Sequence, residues 1–84
     1  MPRAVTLLYF AALREAAGTA QEHLDLPGDV TTVAALAAFL ERTRPALTGR
    51  LASVRFAVNE SFAEANDAIE GGDVVALIPP VSGG

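Results

Sequence analysis

The chain has 84 residues, of which 51% are hydrophobic and 19% charged, and it carries a formal net charge of −4 at pH 7. That length fits a single domain, and the apolar fraction exceeds what a disordered chain contains. The negative charge disfavours nucleic acid and anionic membrane surfaces as partners, and the lack of cysteine excludes disulfides and thiolate metal sites.

The start of the chain does not have the pattern of a secretory signal, because Arg3 is its one early charge and no cleavage pattern follows the apolar stretch. The sequence also contains no run of about 18 apolar residues, which a membrane-spanning helix would require. We therefore expect a cytoplasmic protein.

The first predicted element is a strand over residues 4–10, a stretch rich in β-branched and aromatic residues. Strand alternation gives it two apolar faces. Val5, Leu7 and Tyr9 lie on one face, and Leu8 and Phe10 lie on the other. In a domain with one helical layer, the second apolar face predicts a patch that the helix leaves uncovered.

A short helical stretch over residues 11–17 comes next. It ends at Gly18, the residue type that most often ends a helix in the left-handed conformation. Residues 21–26 then alternate as a second strand, and Pro27-Gly28-Asp29 marks a turn.

The longest predicted helix begins at Thr31 or Thr32, either of which can cap it. Its apolar positions recur at helical spacing along one stripe. They are Val33, Leu36, Ala37 and Leu40. Arg42 and Arg44 fall near its end, where positive charge suits the helix dipole.

Three further strands are predicted after the long helix: residues 54–59, a short edge strand over residues 61–64, and residues 74–78 after a turn at Gly71-Gly72-Asp73. This element order predicts an α+β fold, the ubiquitin-like β-grasp, in which a mixed sheet packs on one main helix. We expect the first and last strands to lie side by side in the middle of the sheet.

The predicted C-terminal tail, residues 79–84, carries no charged side chain. It begins with two prolines, which cannot donate to a strand ladder and favour an extended backbone, so the β-grasp domain is expected to span residues 1–78. It ends in Gly83 and Gly84, which lack Cβ atoms and let a partner close on the backbone. The tail reaches at most about 20 Å from the domain. Its length and its slender end predict that it enters a channel in a partner protein.

The α-carboxylate of Gly84 is the candidate reactive group. A free carboxylate is a poor electrophile, but it can attack the α-phosphate of ATP to give an acyl-adenylate, which sulfur captures as a thiocarboxylate and an amine captures as an amide. Gly71-Gly72 has neither the lysine nor the spacing of a phosphate-binding loop. We therefore expect no bound cofactor and no metal, with ATP bound by a separate activating enzyme.

The ending Pro-Pro-Val-Ser-Gly-Gly, together with the residues before it and four earlier segments, resembles the small subunits of molybdopterin synthase, a family of ubiquitin-like sulfur carriers. The matching segments are Leu8–Glu15, Ala17-Gly18, Thr31–Val33, Ala57–Asn59 and Asp73–Gly84. Two positions depart from the usual pattern. Glu60 stands where glutamine is frequent, and Gly71 stands where aspartate is frequent.

The resemblance implies that an E1-like enzyme adenylates Gly84 and that a sulfurtransferase converts it to a thiocarboxylate. The tail would then enter the active site of the large synthase subunit and donate sulfur to cyclic pyranopterin monophosphate, which becomes the molybdopterin dithiolene. The family works as a heterotetramer. The chain is therefore expected to be a sulfur-donor subunit and not an enzyme on its own.

Other residues of the chain are expected to contact the partner proteins. The tail residues expected in the partner's channel are Pro79, Pro80, Val81, Ser82 and Gly83. The expected partner interface consists of Leu8, Phe10, Arg14, Ala76 and Ile78. Arg14 matches a family position that engages the activating enzyme, and a solvated helix charge is an equal alternative.

Three other functions remain open at this stage. A protein modifier would be joined through Gly84 to target lysines, a thiamine-type sulfur carrier would deliver its sulfur to another pathway, and a plain binding domain would leave the terminus idle.

The remaining polar residues are expected to have structural roles. His23 is expected on the surface. Asp67, Glu70 and Asp73 are expected to be acidic turn residues, since they lack calcium-loop spacing.

Overall fold

The computed structural model describes residues 3–80, and its elements follow the predicted chain order. Five strands form one sheet, namely β1 (Arg3–Tyr9), β2 (Gln21–Leu26), β3 (Arg55–Val58), β4 (Ser61–Ala63) and β5 (Val74–Ile78). Of the two helices, α1 (Ala12–Ala17) lies between β1 and β2, and α2 (Val33–Thr43) lies between β2 and β3. A 3₁₀ turn over Pro45–Leu47, which the sequence did not predict, follows α2.

The sheet is mixed, with the strand order β2-β1-β5-β3-β4. β1 and β5 are parallel neighbours near the middle of the sheet, and the other neighbouring strands are antiparallel. The expected central pairing of the first and last strands is confirmed. With α2 packed on one face, the arrangement is the ubiquitin-like β-grasp.

The end of α1 and the start of α2 are formed by residues that the sequence predicts. Gly18 closes α1 with φ 79°, and its N–H donates to the Arg14 carbonyl at 3.0 Å. Thr32 caps α2, because its Oγ1 accepts from the Ala35 N–H at 3.2 Å, which decides between the two candidate threonines.

The core lies between the sheet and α2. Its most deeply buried large side chains are Tyr9, Leu7, Leu36, Leu40, Leu47 and Leu77, none more than 2% exposed. Alternation along β1 and β5 sends Leu8, Ala76 and Ile78 to the opposite face, which no helix covers within residues 3–80. Among those residues, no helix has the length and apolar character needed to cross a membrane.

A polar network that the sequence did not predict joins β1, β2 and the end of α2. The Tyr9 hydroxyl donates to Glu22 Oε1, and the Arg44 guanidinium donates to both carboxylate oxygens of Glu22, at 3.1 and 2.7 Å. The Arg44 hydrogen bonds hold the pKa of Glu22 below its ordinary value of 4.5. Burial, with the Glu22 carboxylate close by, raises the pKa of Tyr9 above its ordinary value of 10.0.

The pKa shifts of Glu22 and Tyr9 predict that the folded protein is most stable between about pH 5 and about pH 10. As pH falls, protonation of Glu22 favours the unfolded chain, where its pKa is higher. As pH rises, ionisation of Tyr9 also favours the unfolded chain, where its pKa is lower. Because solvent screens the partly exposed ion pair, the acid-side loss attributable to Glu22 is about 0.5 kcal/mol.

Urea unfolding of the wild type and of Glu22→Gln over a pH series checks this prediction. The difference in unfolding free energy between the two proteins should shrink as pH falls from about 7 to about 3, because the wild-type carboxylate is then neutralised. A difference that stays constant over this range would contradict the role given to Glu22.

Candidate functional site

The candidate site begins where β5 ends and the tail starts. β5 stops at Ile78, as predicted, and the next two residues continue without strand pairing because prolines lack the donor group. Pro79 is half-buried and Pro80 is exposed. The tail residues with the most specific predicted roles are Val81, Ser82, Gly83 and Gly84. These four lie outside the described residues, and their roles stay predictions.

The register of the sheet determines which elements flank the departing tail. Leu77 pairs with Tyr9 at the end of β1, and Ile78 pairs with Arg55 at the start of β3. Since β1 runs parallel to β5, Phe10 follows β1 at the same edge of the sheet. The chain therefore leaves the domain between the end of β1 and the start of β3.

Asn59 fixes the start of the strand that carries the tail. Its Oδ1 accepts from the Val74 N–H at 2.9 Å, and its Nδ2 donates to Asp73 Oδ1 at 3.0 Å. Asn59 and Glu60 have φ values of 51° and 72° and form the two-residue turn between β3 and β4, a conformation that asparagine tolerates well. The turn is thereby tied to β5 across the sheet.

The sheet face opposite α2 carries a continuous apolar groove, which we call the open-face patch. It consists of Leu8, Phe10, Ala57, Phe62, Val74, Ala76 and Ile78. One row crosses four strands in register, from Leu8 through Ala76 and Ala57 to Phe62. Three of its members are large and exposed, with Phe62 at 63%, Phe10 at 46% and Val74 at 38%. Exposed apolar surface that is contiguous is typical of a docking site.

The structure brings together four of the five residues predicted as the partner interface: Leu8, Phe10, Ala76 and Ile78. It places the fifth, Arg14, outside the patch as an exposed residue of α1. The sequence analysis missed Ala57, Val74 and Phe62. Phe62 lies in a strand of three residues, where alternation is too short to show which face a side chain takes until the pairing register is known.

The β2 side of this sheet face is polar. Gln21, His23 and Asp25 are exposed on β2, and His23 Nδ1 lies 3.2 Å from Thr6 Oγ1. His23 is thus a surface residue, as predicted. The patch ends at β1, so the open face has an apolar half around β5 and a polar half at β2.

The acidic residues near β5 also have the structural role that was predicted for them. Asp67 Oδ2 accepts from the Glu64 N–H at 2.8 Å, and Asp73 Oδ2 accepts from the Glu70 N–H at 2.9 Å. Each carboxylate therefore closes a turn. Within the part of the chain that the structure describes, no group of three His, Cys, Asp or Glu side chains is placed to hold a metal ion.

Comparison with known proteins gives consistent matches over most of the chain. The model of the ThiS family matches residues 7–84. The molybdopterin synthase sulfur carrier subunit of Chlamydomonas reinhardtii is 38% identical over 82 residues, which cover 95% of this chain and 98% of that protein. The crystal structure of small archaeal modifier protein 1 from H. volcanii superposes with a TM-score of 0.81 at 30% identity, covering 94% of this chain and 99% of that one.

A further match is a solved protein–protein complex of subunits 1 and 2 of molybdopterin-converting factor from Helicobacter pylori 26695. Its matching chain has a TM-score of 0.69 at 23% identity, covering 96% of this chain and 99% of that one. At this identity the likeness concerns the fold.

Proposed function

Since this chain belongs to the ThiS family, we propose that it is the sulfur carrier subunit of a molybdopterin synthase and that the α-carboxylate of Gly84 carries the sulfur. The observation that carries the proposal is the point at which β5 ends. The chain leaves the sheet after Ile78, at the edge of an apolar patch that no helix covers within residues 3–80. A partner that docks on the patch therefore receives the tail at the same time.

The proposed cycle begins with activation of the terminus by an E1-like enzyme. The Gly84 carboxylate attacks the α-phosphorus of ATP, the bond to pyrophosphate breaks, and an acyl-adenylate results. The outer sulfur of a sulfurtransferase persulfide then attacks the acyl carbon and AMP leaves. A thiol reductant cleaves the S–S bond of the resulting acyl disulfide, which releases the terminal thiocarboxylate. No cofactor is bound to this chain in the cycle, since ATP is held by the activating enzyme. We place these steps in the cytoplasm, where ATP is available.

The thiocarboxylate is then delivered to the large synthase subunit. The uncharged tail enters a dry channel at little cost in desolvation, because its one charge is at the reacting end. Two such deliveries convert cyclic pyranopterin monophosphate into the molybdopterin dithiolene, and each returns a carboxylate at Gly84. The chain supplies the sulfur donor of this complex, and the large subunit supplies the pterin site.

Conjugation to other proteins is the second candidate function. The similarity to a small archaeal modifier protein at 30% identity favours it, since the same acyl-adenylate reacts with a lysine amine to form an amide. All six basic residues of this chain are arginines. As a modifier it would therefore attach to targets without forming chains through lysines of its own.

Intact-mass analysis of the chain purified from its native host separates the two functions. A sulfur carrier is expected to show a species in which one oxygen is replaced by sulfur, and this species should disappear on incubation with the large subunit and cyclic pyranopterin monophosphate as the dithiolene forms. A ladder of amide conjugates without the sulfur species would instead identify a modifier. A thiocarboxylate that yields no dithiolene would indicate a carrier of the thiamine type.

A further inference from the structure

The open-face patch is bounded by side chains of opposite charge at its two ends. Arg55 is the first residue of β3 and pairs with Ile78, where the tail leaves. Glu60 follows the other end of β3 and lines the patch beside Leu8 and Val74. Since β3 contains four residues, the backbone positions of the two charges are separated by about 10–15 Å. The patch is therefore positive at the tail end and negative at the far end.

Arg55 is held on this face by an aromatic ring. Its Cζ lies 4.3 Å from the centroid of the Phe62 ring, which is itself part of the patch. A guanidinium stacked in this way keeps its N–H edge free, so it can still bind a carboxylate with two parallel hydrogen bonds. Arg55 and Glu60 are both exposed, and within residues 3–80 neither has a salt-bridge partner.

Apolar contact alone would leave the docking orientation poorly defined. Hydrophobic association is non-directional, and small and aliphatic side chains make up much of the patch. Only one orientation places the partner's channel at the end of β5, where the tail begins. Opposite charges at the two ends favour that orientation and disfavour the reversed one, in which like charges would meet.

We propose that Arg55 and Glu60 orient the large synthase subunit on the open-face patch, with a carboxylate of the partner opposite Arg55 at the mouth of its channel and a basic side chain opposite Glu60. The inference rests on the proposed function, because it takes the large subunit as the occupant of the patch. Beyond the proposed function, the inference identifies two residues that determine how the partner docks. It also predicts which charged groups the partner places opposite them.

The experiment measures association of this chain with the large synthase subunit of the same organism by stopped-flow fluorescence, at low and at high ionic strength. Arg55→Gln and Glu60→Gln are each expected to slow association about 5-fold at low salt, and Arg55→Glu about 20-fold. These differences should shrink in high salt, where the charges are screened. Arg55→Lys keeps the charge and should keep most of the rate.

Arg42→Gln is the matched control. Arg42 also lies over an aromatic ring, with its Cζ 5.8 Å from the centroid of Phe39, but it belongs to α2 and lies away from the patch. Its loss changes the net charge by the same amount as Arg55→Gln and should leave the association rate nearly unchanged. Melting temperatures of all variants verify that they fold.

The doubly reversed variant Arg55→Glu with Glu60→Arg tests orientation itself. It is expected to lose more sulfur transfer per bound complex than either single reversal, because docking in the wrong direction leaves the tail outside the channel. If the wild type binds and transfers sulfur while Arg55→Gln and Glu60→Gln match Arg42→Gln in rate and salt dependence, the inference is overturned and the proposed function stands. If the wild type does not bind the large subunit at all, both are overturned.

Discussion

One alanine appended after Gly84 is expected to abolish thiocarboxylate formation, and with it sulfur transfer to the pterin. The extra residue moves the carboxylate by about 3.5 Å and adds a Cβ next to it. A reacting group displaced by even about 1 Å loses about 100-fold in rate when geometry provides the catalysis, so we expect a loss beyond detection. Mass spectrometry after incubation with the activating enzyme, ATP and the sulfurtransferase measures the product directly.

The control for this test is one alanine added before Met1. This control has the same mass and composition as the variant extended after Gly84, and it should be activated at the wild-type rate. The variant that lacks Gly84 should be as inactive as the variant with the C-terminal extension, because its tail is then too short to bring the carboxylate to the ATP. An extended protein that still forms the thiocarboxylate and the dithiolene at full rate would contradict the assignment of the terminus as the reactive group.

The fold was predictable from the sequence because its determinants are local. Alternation in β1 and β5, a threonine cap at the start of α2 and the ending at Gly18 each follow from neighbouring residues, and all are present in the structure. The end of β5 at Ile78 follows from the two prolines in the same way. The placement of Leu8 on the uncovered face followed from β1 having two apolar faces in a domain with one helical layer.

The features that the sequence did not reveal depend on contacts between distant segments. Glu22 and Arg44 are 22 positions apart, and their ion pair beside the Tyr9 hydroxyl depends on where α2 ends over the sheet. Phe62 joins the patch because the turn at Asn59 pairs it with Ala57. Registers and turn geometries of this kind are set by tertiary packing, which a single sequence does not specify.

Placing a carboxylate at the centre of the patch, by Ala76→Asp, is expected to weaken binding of the large subunit at least about 100-fold. Ala76 lies on the central strand between Leu8 on β1 and Ala57 on β3, both in register with it. In the free domain the new carboxylate can reach solvent, so urea unfolding should show only a modest loss of stability. In the docked complex it would be buried among apolar groups without a partner, which costs several kcal/mol.

Gln21→Asp provides the control for Ala76→Asp, because Gln21 occupies the same cross-strand row as its β2 member and lies in the polar half of the open face. The substitution adds the same charge, and calorimetric titration should show little change in affinity. Equal affinities for Ala76→Asp and the wild type would exclude the patch as the docking surface. If Ala76→Asp also fails to be adenylated, the activating enzyme and the large subunit use the same patch. They then cannot bind together, and the carrier must leave one before its tail can enter the other.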